Sequence, residues 1–346
     1  METTEKYILL GRTLPELKEW VQSQGMPSFA AGQLMDWIYV KRARSFSEMT
    51  NLSLKHRALL EEKASLGLTE PLSVAVSRDG TKKYLFATSV GIGVECVYIP
   101  DRERATLCVS SQVGCKMHCA FCMTGRMGFK AQLSAHEILN QVLSVPESSS
   151  LTNLVFMGMG EPCDNVEAVL RSIRLLTDER GLAWSPKRIT LSSIGAMPGL
   201  QRVLEETRVQ IAISLHTPDL QQRGEWVPAE RIWPIRDTLD LLRGYDFSHQ
   251  RRLSFEYVMF RGLNDDIAHA RMLLSLLNGL NCRMNLIRFH SIPDTPFVRS
   301  EESTIQAFAD YLNAKGLLTT VRASCGEDIE AACGLLSTCV SKDDVG

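Results

Sequence analysis

From residue 105 to residue 290 strand-like and helical patterns alternate, and that order leaves few folds open to the chain. Apolar, β-branched runs recur as ATLCVS (105–110), NLVFM (153–157), KRITLSS (187–193), VQIAISLH (209–216), RLSFEYVMF (252–260) and CRMNLIRFH (282–290). Between them SAHEILNQVLSV, VEAVLRSIRLL, PGLQRVLEE, IRDTLDLLRGY and IAHARMLLSLL repeat apolar residues with the helical period, the first opened by a Ser134/Glu137 capping box. Strands alternating with helices build a parallel sheet covered by helices. Six units are too few for the closed eight-unit barrel. The expected fold class is therefore α/β, an open, incomplete (β/α)6 barrel, with chemistry on the loops at the C-terminal strand ends.

The rest of the chain divides around that core. Residues 1–68 read as a small helical accessory domain: Thr13 and Glu16 form a capping box before Leu17, Trp20 and Val21, and Phe29, Gln33, Leu34, Trp37 and Ile38 share one helical face. Lys41, Arg42 and Arg44 are expected in a solvated turn, with nucleic-acid contact as the alternative. Residues 69–99 read as a short β extension, with Asp79-Gly80 at a hairpin turn. VECVYIP then places Glu95 on the face of Val97 and Ile99. That carboxylate is either buried, where its pKa rises and poises it as a base, or exposed on an edge strand. The core spans 100–300, and 301–346 add a helix, a strand and the tail CGEDIEAACGLL.

Directly after the first barrel strand, Cys115, Cys119 and Cys122 stand as C-x3-C-x2-C. Thiolates hold iron–sulfur clusters, and a cubane with three protein ligands keeps one iron open. A structural zinc wants four closed ligands, and His118 and Cys108 sit at awkward offsets for the fourth. After the second strand comes GMGEP, whose Gly158 and Gly160 allow close backbone approach and whose Glu161 can accept from an ammonium group. Ser192, Ser214, His216 and Asn285 lie near strand ends, where polar residues line a pocket or cap a turn. Cys108 and Cys333 are either inert small hydrophobes or functional thiols. Cys96, Cys163, Cys282, Cys325 and Cys339 are read as structural.

Composition narrows the class further. The 346 residues carry a net charge of −2, so any nucleic-acid surface must be a local patch. The N-terminus lacks the basic-then-apolar pattern of a signal peptide, and no apolar run approaches the roughly 18 residues that span a bilayer. Ten cysteines without an export signal fit a reducing compartment. A cytoplasmic enzyme with no membrane partner is expected.

Taken together these segments resemble the RlmN/Cfr class of radical S-adenosylmethionine (SAM) RNA methyltransferases, and its RlmN branch in particular. The resemblance runs nearly end to end: FAAGQLMDWIYVK, SFSEMTNLS, SRDGTKKYLF, ATLCVSSQVGC, CAFCMTGRMGF, VFMGMGEP, ITLSS, ISLH, EYVM, NLI and GEDIEAACG. It implies an incomplete (β/α)6 radical-SAM barrel. Cys115, Cys119 and Cys122 would bind a [4Fe–4S] cluster; Gly160, Glu161, Ser192, Ser214, Leu215, His216 and Asn285 would bind SAM. Cys333 would be methylated by one SAM, and a radical from a second SAM would take hydrogen from that S-methyl group. The carbon radical would add to carbon 2 of an adenine, Glu95 would remove the proton there, and Cys108 would release the product through a transient disulfide with Cys333.

The partners implied are 23S rRNA near the peptidyl-transferase centre, tRNA at the adenosine 3′ of the anticodon, and a flavodoxin-type electron donor, with the enzyme a monomer. Alternatives are methylation of carbon 8, as in the Cfr branch, a non-catalytic iron–sulfur RNA-binding or redox protein, and a radical SAM activase of another protein. Arg288, Phe289, His290 and Ser291 depart from the family's Pro-containing turn after NLI, and Glu230 stands where the family commonly has Asn. These departures touch the barrel rim and bear on the choice of RNA.

Overall fold

A computed structural model describes residues 6–248 and 251–337; Cys339, read as structural, lies outside the described residues. Ten strands form one continuous sheet: β1 (Ser73–Val76), β2 (Lys82–Phe86), β3 (Val94–Asp101), β4 (Arg104–Cys108), β5 (Asn153–Phe156), β6 (Ile189–Ser193), β7 (Gln210–Ser214), β8 (Leu253–Met259), β9 (Arg283–Arg288) and β10 (Thr319–Val321). Each strand lies beside its sequence neighbours. From β4 to β10 every pairing is parallel, and from β1 to β4 every pairing is antiparallel.

The six strands expected for the barrel are β4 to β9, and the open α/β barrel is present. Two features enlarge it. LTTVRAS supplies a seventh parallel strand, β10, on the edge of β9. The β extension is continuous with the barrel, because β3 runs past residue 99 and pairs along β4 from Val97–Cys108 to Asp101–Arg104. The outer edge of β4, which would otherwise offer unpaired N–H and C=O groups, is covered in this way. Hence Glu95 does not sit on an edge strand: β3 is flanked by β2 and β4, and the residue is 7% exposed. β8 is buried at every position, as a central strand covered on both faces requires.

The N-terminal helices Leu14–Ser23, Ala30–Met35 and Leu54–Lys63 pack on the barrel's flank, tied by a short parallel pair of Tyr7–Ile8 with Ala64–Ser65. Thr13 and Glu16 form the expected capping box, and Leu17 and Val21 are buried. Phe29 does not join the buried stripe; it is 67% exposed, and the core takes Ala30, Ala31, Leu34, Met35 and Ile38. Phe29 is the N-cap, outside helix Ala30–Met35, and a π-turn over Asp36–Val40 follows that helix. The basic cluster is not simply solvated either. Lys41 pairs with Asp36 at 2.7 Å, Arg42 donates to Ser148 Oγ at 3.1 Å, and Arg44 donates to the Leu143 carbonyl at 2.8 Å. Two of the three cations therefore fasten the helical domain to the end of helix Ala135–Ser144. Among the described residues no helix is long and apolar enough to cross a membrane.

Candidate active site

The loop after β4 brings Cys115, Cys119 and Cys122 onto the wall of one cavity at the C-terminal strand ends, with about 990 Å³ of open space including its mouth. The loop is held from several sides. Ala120 N–H donates to the Trp226 carbonyl at 2.9 Å, and Cys122 N–H to the Cys119 carbonyl at 3.2 Å. Phe121 sits edge-on to His216 at 4.8 Å and 5.5 Å from Phe260, which in turn packs on Phe289, Phe297 and Trp226. This aromatic wall fixes one side of the cavity and keeps it apolar. Phe289, one of the departures from the family pattern, is thus a packing residue. Arg288 beside it pairs with Glu302 at 2.7 Å and donates to the Arg322 carbonyl at 2.6 Å.

The three cysteines fit an iron–sulfur cubane better than a single ion. All three are free thiols lining the same space, the three-thiolate donor set that leaves one iron of a cubane open. A mononuclear site needs every donor about 2.0–2.3 Å from one centre; a cubane takes each thiolate at a separate corner. Burial pushes the Cys115 thiol up to about 12 and raises Cys119 and Cys122 as well. The bare thiols are therefore protonated, and metal binding would release protons.

GMGEP follows β5. Both of its glycines are demanded by the protein itself: a Cβ on Gly158 would come within 2.8 Å of the Val109 carbonyl, and Gly160 has φ +98° against the Gln112 side chain. The tight approach lets the turn deliver Glu161 into the cavity, 4% exposed. Its two oxygens accept from Cys163 N–H and Ile194 N–H, each at 3.0 Å. Burial pushes this carboxyl up to about 7 against those bonds. A cationic group entering the cavity would find a carboxylate oriented by backbone donors, with lone pairs left to accept.

Ser192 on β6 and Ser214 on β7 line the cavity with their hydroxyls 3.4 Å apart. His216 joins them in a left-handed conformation (φ 62°). Burial, reinforced by Arg223, pushes its imidazole down to about 3, so it is neutral at working pH. Its Nδ1 accepts from Val258 N–H at 3.3 Å, which leaves Nε2 to carry the proton. Leu215 offers the cavity no side chain; its carbonyl accepts from Arg223 at 2.9 Å. Asn285 stands beside Glu256 on the neighbouring strand and donates to it at 2.7 Å.

Glu256 and the arginines were not legible as site residues. Glu256 is 3% exposed on the cavity wall, accepts from Ser254 and Asn285, and pairs with Arg322 at 3.2 Å. A carboxylate inside the otherwise apolar run FEYVM was the available signal. Arg223 is wholly buried, pairs with Glu230 at 2.8 Å, and donates to the carbonyls of Ser214, Leu215 and Ile194. Glu230 also accepts from Ile235 N–H at 3.0 Å, so this second departure serves as a buried counter-ion and a helix cap.

Cys333 lines the same cavity as the three loop cysteines. It also lines an adjoining cavity that holds Cys108, Cys325 and Arg322. Its exposed surface therefore opens between protein walls. Burial raises both Cys333 and Cys108, the latter to about 12, while the nearby Arg322 guanidinium pulls each back down. The tail bearing Cys333 is pinned to the cysteine loop, with Met123 N–H donating to the Gly334 carbonyl at 2.8 Å and Thr124 Oγ1 to the Leu336 carbonyl at 2.6 Å. Upstream it docks on the β1–β2 hairpin, where Gly326 N–H reaches Asp79 at 2.9 Å and Arg78 N–H reaches Asp328 at 3.2 Å. Glu95 sits under this tail, outside both cavities, accepting from Ser337 N–H at 3.1 Å and pairing with Lys83 at 3.1 Å.

Comparison with known proteins covers the whole of this arrangement. Residues 8–66 match the family model described as the ribosomal RNA large subunit methyltransferase N-terminal domain, and residues 109–274 match the Radical SAM superfamily. A protein of Bacteroides fragilis named "Probable dual-specificity RNA methyltransferase RlmN" is 56% identical over 333 residues, covering 96% of this chain and 97% of its own. The "Dual-specificity RNA methyltransferase RlmN" of Syntrophobacter fumaroxidans is 43% identical over 328 residues, covering 94% and 96%. The crystal structure of a radical SAM methyltransferase from Sphaerobacter thermophilus superposes with a TM-score of 0.90 at 39% identity, covering 96% of this chain and 99% of that one.

Proposed function

The chain belongs to the RlmN family of dual-specificity RNA methyltransferases, and from that membership we propose that it methylates carbon 2 of adenosine in 23S rRNA and in tRNA, through a methylated Cys333 and two molecules of SAM. The observation that carries this reading is the position of Cys333, which borders the cavity of the three loop cysteines on one side and that of Cys108 on the other. A thiol that first accepts a methyl group and later forms a disulfide needs access to both.

Cys115, Cys119 and Cys122 would hold the cluster, with Glu161, Ser192, Ser214 and His216 holding SAM. When bound, that pair supplies the methyl group and the radical chemistry that carbon 2, an electron-poor position with no nucleophile, requires. The protein's own residues do the rest. Cys333 Sγ, as a thiolate, accepts the methyl group by displacement. The aromatic wall around Phe121 excludes water from the reacting centre. Glu95 takes the proton leaving carbon 2 of the adenine, once Ser337 N–H gives up its carboxylate. Cys108 Sγ, as a thiolate, then attacks Cys333 Sγ; the S–S bond forms as the bond from Cys333 to the transferred carbon breaks, that bond's electron pair stays with the carbon, which takes up a proton to complete the methyl group, and the disulfide must be reduced before the next turnover. Arg322, held by Glu256, favours the thiolate forms that both steps use. A flavodoxin-type protein would supply the single electrons.

The test is anaerobic turnover of the reconstituted enzyme with a 23S rRNA fragment or a tRNA transcript, followed by nucleoside mass spectrometry. A 2-methyladenosine product from both RNAs, lost on Cys333→Ala, is expected. A product of 8-methyladenosine, or methylation that survives Cys333→Ala, would sink the proposal.

A further inference from the structure

The opposite end of the barrel, where the parallel strands begin, carries a concentration of positive charge that the reaction does not use. Arg104 opens β4, Lys187 precedes β6, Arg251 and Arg252 precede β8, and Arg283 opens β9. All five line one open pocket in which no carboxylate takes part. Among the described residues none of these five side chains makes an ion pair. Asp101 faces Arg104 in the β3–β4 register without pairing to it. In a chain of net charge −2, such a cluster is not the by-product of a basic composition.

Arg251 is anchored within the cluster. It is 5% exposed, and its terminal nitrogens donate to the carbonyls of Leu204 and Thr207 at the end of helix Gly199–Glu206. Capping that helix accounts for those donors, but the buried Nε has no hydrogen-bond partner. Arg252 lies diagonally across from Arg283, which is paired with Ser254. Partial burial first, and then the neighbouring Arg283, Arg104 and Arg322, push the Arg252 guanidinium down, with Glu256 opposing them. Five cations around one open pocket, none of them in an ion pair among the described residues, repel one another, and a bound anion relieves that repulsion.

We propose that this pocket binds phosphate oxyanions, either inorganic phosphate or phosphates of an RNA backbone. Forked guanidinium donors suit phosphate oxygens, which accept two parallel N–H bonds. The pocket lies at the strand end remote from the cavity, so any RNA held here is a segment other than the one presented to Cys333.

The test uses the full-length holoenzyme and the variant Arg252→Ala/Arg283→Ala, both substitutions falling on exposed side chains. Thermal unfolding is followed with inorganic phosphate and with chloride at matched ionic strength. Phosphate should raise the Tm of the wild type above that in chloride, and the variant should lose that increment. A labelled single-stranded 12-nucleotide RNA, titrated across salt concentrations, separates the two sources. A salt slope lower by about 1.4 in the variant, about 0.7 for each lost contact, assigns the site to RNA phosphates. An unchanged slope with the phosphate increment lost assigns it to the free anion. Phosphate no better than chloride for the wild type, or equally effective on the variant, overturns the proposal. A variant whose Tm in chloride matches the wild type shows that the fold is intact, and Arg104→Ala repeats the test at a third position.

Discussion

Replacing Asp79 by alanine should loosen the segment that carries Cys333 while leaving the barrel untouched. The Asp79 carboxylate sits at the tip of the β1–β2 hairpin and accepts from Thr81 N–H at 2.8 Å within the turn and from Gly326 N–H at 2.9 Å across to the tail. Burial works against ionisation, but those N–H bonds prevail and hold the carboxyl down at about 2. Of the bonds Asp79 accepts, only that from Gly326 crosses to the tail, beside the bonds Ser77 and Arg78 make to Asp328. At an exposed position its loss costs about 1 kcal/mol after solvent screening, roughly fivefold in the opening equilibrium of the tail. Native-state hydrogen exchange over residues 326–334 should therefore accelerate about fivefold in Asp79→Ala, and alkylation of Cys333 should follow. Exchange in β8 should not change. The sign with pH is fixed by the lowered pKa: the latch is intact above the ordinary Asp value near 4 and is lost as pH falls toward 2. Tail exchange that stays at the wild-type rate, or acceleration spread equally over β8, would refute the latch.

Two further outcomes follow from buried charges. Because burial pushes Glu161 up to about 7, a cationic amino group should bind better as pH rises. SAM affinity measured by calorimetry should increase about tenfold between pH 6 and pH 8 and lose that dependence in Glu161→Gln; a flat wild-type profile contradicts the clamp. Arg223→Ala leaves Glu230 buried without its partner and frees three carbonyls, so denaturant unfolding should show a loss of about 3–5 kcal/mol. A loss below about 1 kcal/mol would mean that water replaces the guanidinium.

The parts of the site legible in the sequence are those whose chemistry is written locally. C-x3-C-x2-C, the GMGEP turn, the hairpin at Asp79-Gly80 and both capping boxes each lie within a few residues, and the strand–helix alternation placed the cysteines at the correct end of the sheet. The contacts that were missed join distant segments. Asp328 meets Ser77 across 251 positions, Arg322 meets Glu256 across 66, and no period or motif encodes such pairings. Asn285 shows the limit from the other side. Its strand and its facing were readable, but the carboxylate it donates to, Glu256 beside it on β8, was not. Lys41, Arg42 and Arg44 do lie in an exposed bend as read, but composition could not say that Arg42 and Arg44 also reach Ser148 and the Leu143 carbonyl.

The central claim is that Cys333 carries the transferred carbon and that Cys108 then frees it by attacking the Cys333 sulfur, and the variant Cys108→Ala tests it most directly. Without the attacking thiol the transferred carbon should remain joined to Cys333 and to the base. After an anaerobic reaction, denaturing electrophoresis should show a covalent protein–RNA species, and mass spectrometry of its digest should place the modified adenosine on Cys333. Cys333→Ala and the double variant should give none. Free methylated RNA released by Cys108→Ala at the wild-type yield, with no trapped species, would contradict the account.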